Sequence, residues 1–210
     1  MPRQNLIEET DELRLDPGPP LAPVDWALLF GGTGRVEVEV GIGKGRFLLA
    51  SAEARPDVLH FGIEWANRYL RIAESRAVRR GLENVRFARV DAGELLEMVP
   101  TASVSAYYIF YPDPWPKKRH HKRRFLNPSN AGQLARTLRP GSVLHVATDH
   151  VDYWEVIEPL FDNHPDFERL AEFGGDEFPM PTEAPLTNFE IKYKVQGRAR
   201  KRASWRRRGA

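Results

Sequence analysis

The sequence predicts an α/β domain built on a mostly parallel sheet. Three observations carry that expectation. Strand-like and helix-like segments alternate through most of the 210 residues. The first strand runs straight into a glycine-rich turn, Gly41-Ile42-Gly43-Lys44-Gly45, that opens a helix. Carboxylates stand at the carboxyl ends of three successive strands, Glu39, Glu64 and Asp91, where doubly wound sheets gather their ligand-binding groups.

Residues 1–23 read as a flexible N-terminal arm, because Pro17-Gly18-Pro19-Pro20 and Pro23 forbid regular structure. Residues 24–197 read as the domain and 198–210 as a basic C-terminal tail. Arg35–Val40 alternates Val with charge, as a strand does, and Phe47–Ala54 is helical. Val58–Ile63 is the second strand. Arg68–Arg80 is a helix that Gly81 stops in a left-handed conformation. Val85–Val90, a short helix Gly93–Val99 and the apolar strand Val104–Tyr111 follow. Asn127 and Pro128 form an N-cap and first-turn pair for a helix through Leu138. Ser142–Ala147 is a strand and Tyr153–Phe161 a helix. Phe167–Phe173 and Phe189–Val195 are expected as the last two strands.

Composition excludes several chemistries. The chain has no cysteine, which removes disulfides, cysteine-held zinc or iron–sulfur groups, and a thiolate nucleophile. Pyrimidine C5 methylation through a thiolate and radical methylation on an iron–sulfur cluster go with them. No apolar run reaches membrane-spanning length, and the polar, acidic N-terminus has no signal-peptide core, so the expected compartment is the cytoplasm. No set of His and carboxylate ligands at a useful spacing suggests a metal. The net charge of +2 hides a strong asymmetry. No Asp or Glu lies between Asp113 and Asp149, residues 152–183 are acid-rich, and Arg198–Arg208 is basic again. Such segregation on a near-neutral body points to a polyanionic partner met at a defined face.

The most informative segment is Pro112-Asp113-Pro114-Trp115-Pro116-Lys117-Lys118-Arg119-His120-His121-Lys122-Arg123-Arg124. A strand ends in a proline-stiffened turn that presents one acid and one aromatic ring, with Asp113 held extended between two prolines. Dense positive charge follows at once. Arg119, His120, His121, Lys122, Arg123 and Arg124 are expected to meet nucleic-acid phosphates. A charged surface loop is the plain alternative, and Trp115 is equally a base-stacking platform or a core residue.

Gly41, Gly43 and Gly45 permit a tight turn and close approach of a ligand to the backbone. Their spacing is Gly-x-Gly-x-Gly, not the dinucleotide Gly-x-Gly-x-x-Gly. Glu39, two residues before the first glycine, suits a cationic ligand end better than a pyrophosphate. Glu64, roughly 20 residues past the loop, is placed to bind ribose hydroxyls. Asp91 is either an adenine contact or a helix N-cap. An adenosine with an amino-acid-like cationic tail, S-adenosylmethionine, fits the trio.

With the fourth strand added, the chain resembles the bacterial tRNA (guanine-N7)-methyltransferases. The matching residues are Glu39 to Gly45, Gly62-Ile63-Glu64, Pro112-Asp113-Pro114-Trp115 with its basic run, Thr148-Asp149-His150, and Thr187-Asn188-Phe189-Glu190, in family order over about residues 35–195. The resemblance implies a class I S-adenosylmethionine-dependent methyltransferase fold, Rossmann-like, with a seven-stranded, mostly parallel sheet and helices on both faces. It implies methylation of a guanine N7 in the variable loop of tRNA. By the same resemblance Glu39, Glu64, Asp91 and Asp113 line the donor site and Asp113 is catalytic. Lys117, Asp149 and Thr187, Asn188, Phe189 and Glu190 contact substrate. The arginine-rich C-terminal end is less typical of that family. From the residues alone, Asp149 also reads as an N-cap for the helix that follows it. Competing readings are a methyltransferase for another RNA, a nicotinamide-dependent oxidoreductase, and a non-catalytic RNA-binding module.

Overall fold

The computed structural model describes residues 13–15, 23–174 and 200–209. Its strands are β1 (Arg14–Leu15), β2 (Arg35–Val40), β3 (Val58–Ile63), β4 (Val85–Ala88), β5 (Val104–Phe110), β6 (Leu138–Thr148), β7 (Phe167–Arg169) and β8 (Lys201–Arg207). Its helices are α1 (Trp26–Phe30), α2 (Arg46–Ala54), α3 (Asn67–Arg79), α4 (Ala92–Met98), α5 (Pro128–Thr137) and α6 (Val151–Asp162), with a 3-10 helix at Lys118–Arg123. One sheet runs β1-β4-β3-β2-β5-β6-β8-β7. Among the described strands, only β8 opposes its neighbours. The chain leaves β2 toward β3 and β4, then returns to β5 on the other side of β2. That reversal opens a crevice at the carboxyl ends of β2 and β5.

Local chemistry explains the boundaries. Asn127 Oδ1 accepts from Asn130 N at 3.1 Å with Pro128 in the first turn, as the sequence predicts for α5. Gly81 takes φ 63° just after α3. The helix α1 is not among the expected elements; Asp25 caps it, accepting from Leu28 N at 3.0 Å, and Gly31 ends it at φ 72°.

Helices cover both faces. One core lies beneath α4, α5 and α6 and includes Leu95, Leu134, Tyr153, Ile157 and Phe161. The other lies beneath α2 and α3 around Leu49, Leu70, Ala73 and Phe87. A parallel strand covered on both faces has no solvent side. The acids of β2 are therefore buried, and Glu37 survives there through partners. It takes Arg35 at 2.9 Å, Arg55 at 2.7 Å and the Tyr108 hydroxyl at 3.0 Å. Burial opposes its ionisation, but the Arg55 hydrogen bond and charge hold its carboxyl below the ordinary value.

Two expectations change. Within the expected arm, Arg14–Leu15 pairs in parallel with β4, and Arg14 donates to buried Glu74 at 2.7 and 2.8 Å, so the sheet has eight strands among the described residues. The expected tail supplies β8, whose Ala203, Ser204 and Trp205 are buried between β6 and β7. An Arg-rich stretch can serve as an interior strand because its small and aromatic residues face the core while its cations reach the ends. The segment Phe189–Val195, expected as the last strand, lies outside the described residues.

Candidate active site

The crevice between β2 and β5 is floored by the glycine loop. Gly41, Gly43 and Gly45 all have positive φ, at 77°, 54° and 70°. A Cβ on Gly41 or Gly43 would meet no protein atom within 4 Å, so this backbone stays open to a ligand. Gly45 differs: a Cβ there would lie 2.8 Å from Ala73 Cβ, so this glycine lets α2 and α3 pack together. Glu64 pins the loop from the tip of β3. Its Oε2 accepts from Gly43 N and its Oε1 from Ala66 N, both at 2.8 Å.

Glu39 and Glu64 meet here, with Asp113 within electrostatic reach of Glu64. Glu39 is 3% exposed, and its Oε2 has no hydrogen-bond partner among the described residues. Burial raises its carboxyl to about 8; the Leu48 N–H opposes the rise and the charge of Glu64 adds to it. Burial also raises Glu64, against the Ala66 and Gly43 N–H bonds and with help from the charge of Asp113. Carboxyls that hinder one another's ionisation, one with an orphaned buried oxygen, suit a cation. The ammonium and sulfonium of S-adenosylmethionine match that demand. Each Glu64 oxygen accepts one N–H and keeps a lone pair free to accept from a hydroxyl. Asp91 is exposed and caps α4, accepting from Gly93 N at 2.8 Å and Glu94 N at 3.3 Å, which is the N-cap reading of that residue.

Asp113 stands exposed beyond β5, within electrostatic reach of Glu64 and Tyr153. The turn that carries it lies between two strained residues. Tyr111 has φ 54° and Trp115 φ 43°, and bulky side chains in this region cost on the order of 1–3 kcal/mol each. Trp115 is half-buried, with the Arg123 guanidinium 5.0 Å over its ring and His120 at its edge. Lys117 is exposed at the start of the 3-10 helix.

Lys118, Arg119, His121, Lys122 and Arg123 are exposed, and His120 is half-buried. Arg124 corrects its expected role as an RNA contact. It is 4% exposed, donates from Nε to the Pro114 carbonyl at 2.8 Å, and lies 4.6 Å from the Tyr153 ring centroid. Its neighbour in sequence is the apolar pair Phe125-Leu126, and that is the signal that the chain turns inward there. Tyr153 joins the site without being among the residues expected in it. Its spacing with Ile157 and Phe161 on α6 marks a buried stripe, and its hydroxyl accepts from Leu126 N at 2.9 Å. Asp149 follows β6 at the same edge of the sheet, but His150 holds the N-cap position of α6, so Asp149 is not the cap. Thr187, Asn188, Phe189 and Glu190 lie outside the described residues.

Comparison with known proteins agrees with this geometry. A family model described as "Putative methyltransferase" matches residues 33–203. The chain is 40% identical over 182 residues to a tRNA (guanine-N(7)-)-methyltransferase of Mycobacterium sp. (strain KMS), covering 86% of this chain and 66% of that protein. It is 38% identical over 176 residues to the enzyme of that name from Nitrosococcus oceani, covering 83% and 72%. The chain thus spans about two thirds of the length of the mycobacterial relative. Among solved structures it shares its fold with the antibiotic-resistance methyltransferase Kmr (TM-score 0.59, 20% identity, 86% of this chain and 90% of that one). TrmN from Thermus thermophilus matches with a TM-score of 0.57 at 17% identity, over 97% of this chain and 47% of that one.

Proposed function

The chain belongs to the tRNA (guanine-N(7)-)-methyltransferase family, and from that premise we propose that it methylates N7 of a guanine in the variable loop of tRNA. Its methyl donor is S-adenosylmethionine, which when bound supplies an electrophilic sulfonium methyl. One observation carries the reading. Asp113, in electrostatic reach of the donor-site acid Glu64, sits on a turn that runs directly into the exposed basic helix Lys118–Arg123.

Neutral guanine has a lone pair and no proton at N7, so no base is needed to make the nucleophile. The protein must place the ring, exclude water and tolerate a cationic purine. Glu39 takes the donor's ammonium, Glu64 its ribose hydroxyls, and the open backbone of Gly41 and Gly43 its tail. Asp91 borders the adenine end while capping α4. Asp113 stabilises the positive charge that develops on guanine. Lys117 and Asp149 border the substrate, as the family resemblance implies for Thr187 to Glu190. Arg119, His120, His121, Lys122 and Arg123 meet tRNA phosphates in the cytoplasm, where tRNA resides. The test is total tRNA with labelled donor, followed by nucleoside mass spectrometry of mapped fragments. The reading requires 7-methylguanosine in the variable loop. Label confined to another RNA or another nucleoside overturns it.

A further inference from the structure

Resting on that reading of the site, we infer that Arg124 is a positioning residue, which clamps the turn carrying Asp113 and does not touch tRNA phosphate. The turn cannot hold itself. Pro112, Pro114 and Pro116 have no N–H, and Tyr111 and Trp115 at its ends both occupy the left-handed region. The Pro114 carbonyl, next to Asp113, receives Arg124 Nε at 2.8 Å. The guanidinium lies 4.6 Å from the Tyr153 ring centroid, and Tyr153 is 0% exposed on a helix whose Ile157 and Phe161 are equally buried. The Tyr153 hydroxyl accepts from Leu126 N at 2.9 Å, which fixes the chain just after Arg124. A continuous path therefore runs from the core of α6, through Tyr153 and Arg124, to the turn.

Burial separates Arg124 from the cations before it. Lys118, Arg119, Lys122 and Arg123 are exposed and can reach a phosphate; a side chain at 4% exposure cannot. Its Nη2 has no hydrogen-bond partner among the described residues. Keeping a charged donor buried and unpaired is unfavourable, and a residue serving RNA affinity alone would gain nothing from it. Fixing a strained turn requires that burial. Arginine suits the role because one planar group can donate in its plane and stack on its face at once.

The experiment compares Arg124→Lys and Arg124→Ala with the parent, using single-turnover methyl transfer at saturating donor and tRNA. The salt dependence of tRNA binding is measured beside it. A misplacement near 1 Å can cost about 10²-fold in rate, so both variants should lose at least about tenfold. Their salt slopes should match the parent, whereas removing a cation that neutralises a phosphate would lower the slope by roughly 0.7–0.9. Millimolar guanidinium should restore part of the rate of Arg124→Ala. A parental rate, or a lowered slope with an unchanged saturated rate, overturns the inference. If neither Arg124 variant folds, Tyr153→Leu decides, because it removes the platform and leaves Arg124 in place. A slowed chemical step at parental salt slope supports the clamp, and a parental rate refutes it. Failure of the parent to methylate tRNA would instead sink the proposed function, so the two failures are distinguishable.

Discussion

Asp113 contributes no core packing, yet the chain accepts strain on both sides of it. That arrangement predicts a role in the chemical step. Asp113→Asn keeps the shape and removes the charge, and loss of one preorganised electrostatic partner costs roughly 10²–10³ in rate. Single-turnover kinetics at saturating donor and tRNA should show that loss with tRNA affinity retained; a near-parental rate would reassign Asp113 to shaping the turn. Glu39 gives a pH prediction. Its carboxyl is raised from 4.5 to about 8, so between those values the folded protein holds a proton that the unfolded chain has released. Stability from this group is therefore full at low pH and falls as pH rises through the window. Pairing with an ammonium requires the carboxylate, so donor binding should expel a proton near pH 7. The donor's own amino group titrates close to 8, which makes Glu39→Gln the necessary comparison. Calorimetry in buffers of different ionisation enthalpy should find proton release in the parent and none in the variant. The strand-end placement of Glu39, Glu64 and Asp113 is legible in sequence, since Glu39 closes a Val–charge alternation just before the glycine turn and Glu64 and Asp113 follow largely apolar runs. The burial of Arg124 is harder to read: the run from Pro112 has no periodicity of its own, and only the apolar pair Phe125-Leu126 that follows it signals that the chain turns inward.

On the proposed reading, the 3-10 helix Lys118–Arg123 is the element that adds tRNA binding to the donor site. Replacing Arg119, Lys122 and Arg123 with alanine removes three exposed cations and leaves the Arg124 clamp intact. Affinity for tRNA should fall and the slope of log K against log salt should flatten by roughly 0.7–0.9 for each phosphate that is no longer neutralised. Donor affinity should not change. An unaltered slope would move the phosphate-binding role elsewhere, to Lys201 first, which pairs opposite Thr148 beside Asp149. Periodicity and punctuation reveal most elements in sequence, because most of the doubly buried strands are largely apolar, β2 alternates Val with charge, and several helices carry clear stops. The short α1 is hidden because five residues give no helical repeat. β8 is hidden because its seven residues include four cations, and only Ala203, Ser204 and Trp205 betray an interior strand.

At the scale of the molecule, β8 ties the sheet's antiparallel side together. Trp205 is 0% exposed and donates from Nε1 to Asp162 at 2.7 Å. Ser204 meets buried His145 at 2.8 Å, and Arg207 and Arg208 donate to the carbonyls of Ala135 and Phe167. Deleting residues 200–209 should therefore abolish cooperative thermal unfolding and, with it, donor binding. A truncated chain that melts like the parent would show the strand to be dispensable. The same topology bears on how the protein is made. β6 and β7 leave the ribosome before β8, yet β8 lies between them. Until residue 201 arrives, their facing edges wait unpaired, and an open edge is a template for pairing with another chain. Closure is a long-range insertion between two strands already formed, the kind of event that sets slow folding. The nascent protein is thus most prone to aggregate in the interval between the emergence of β7 and that of β8, and a translational pause within it lengthens that exposure.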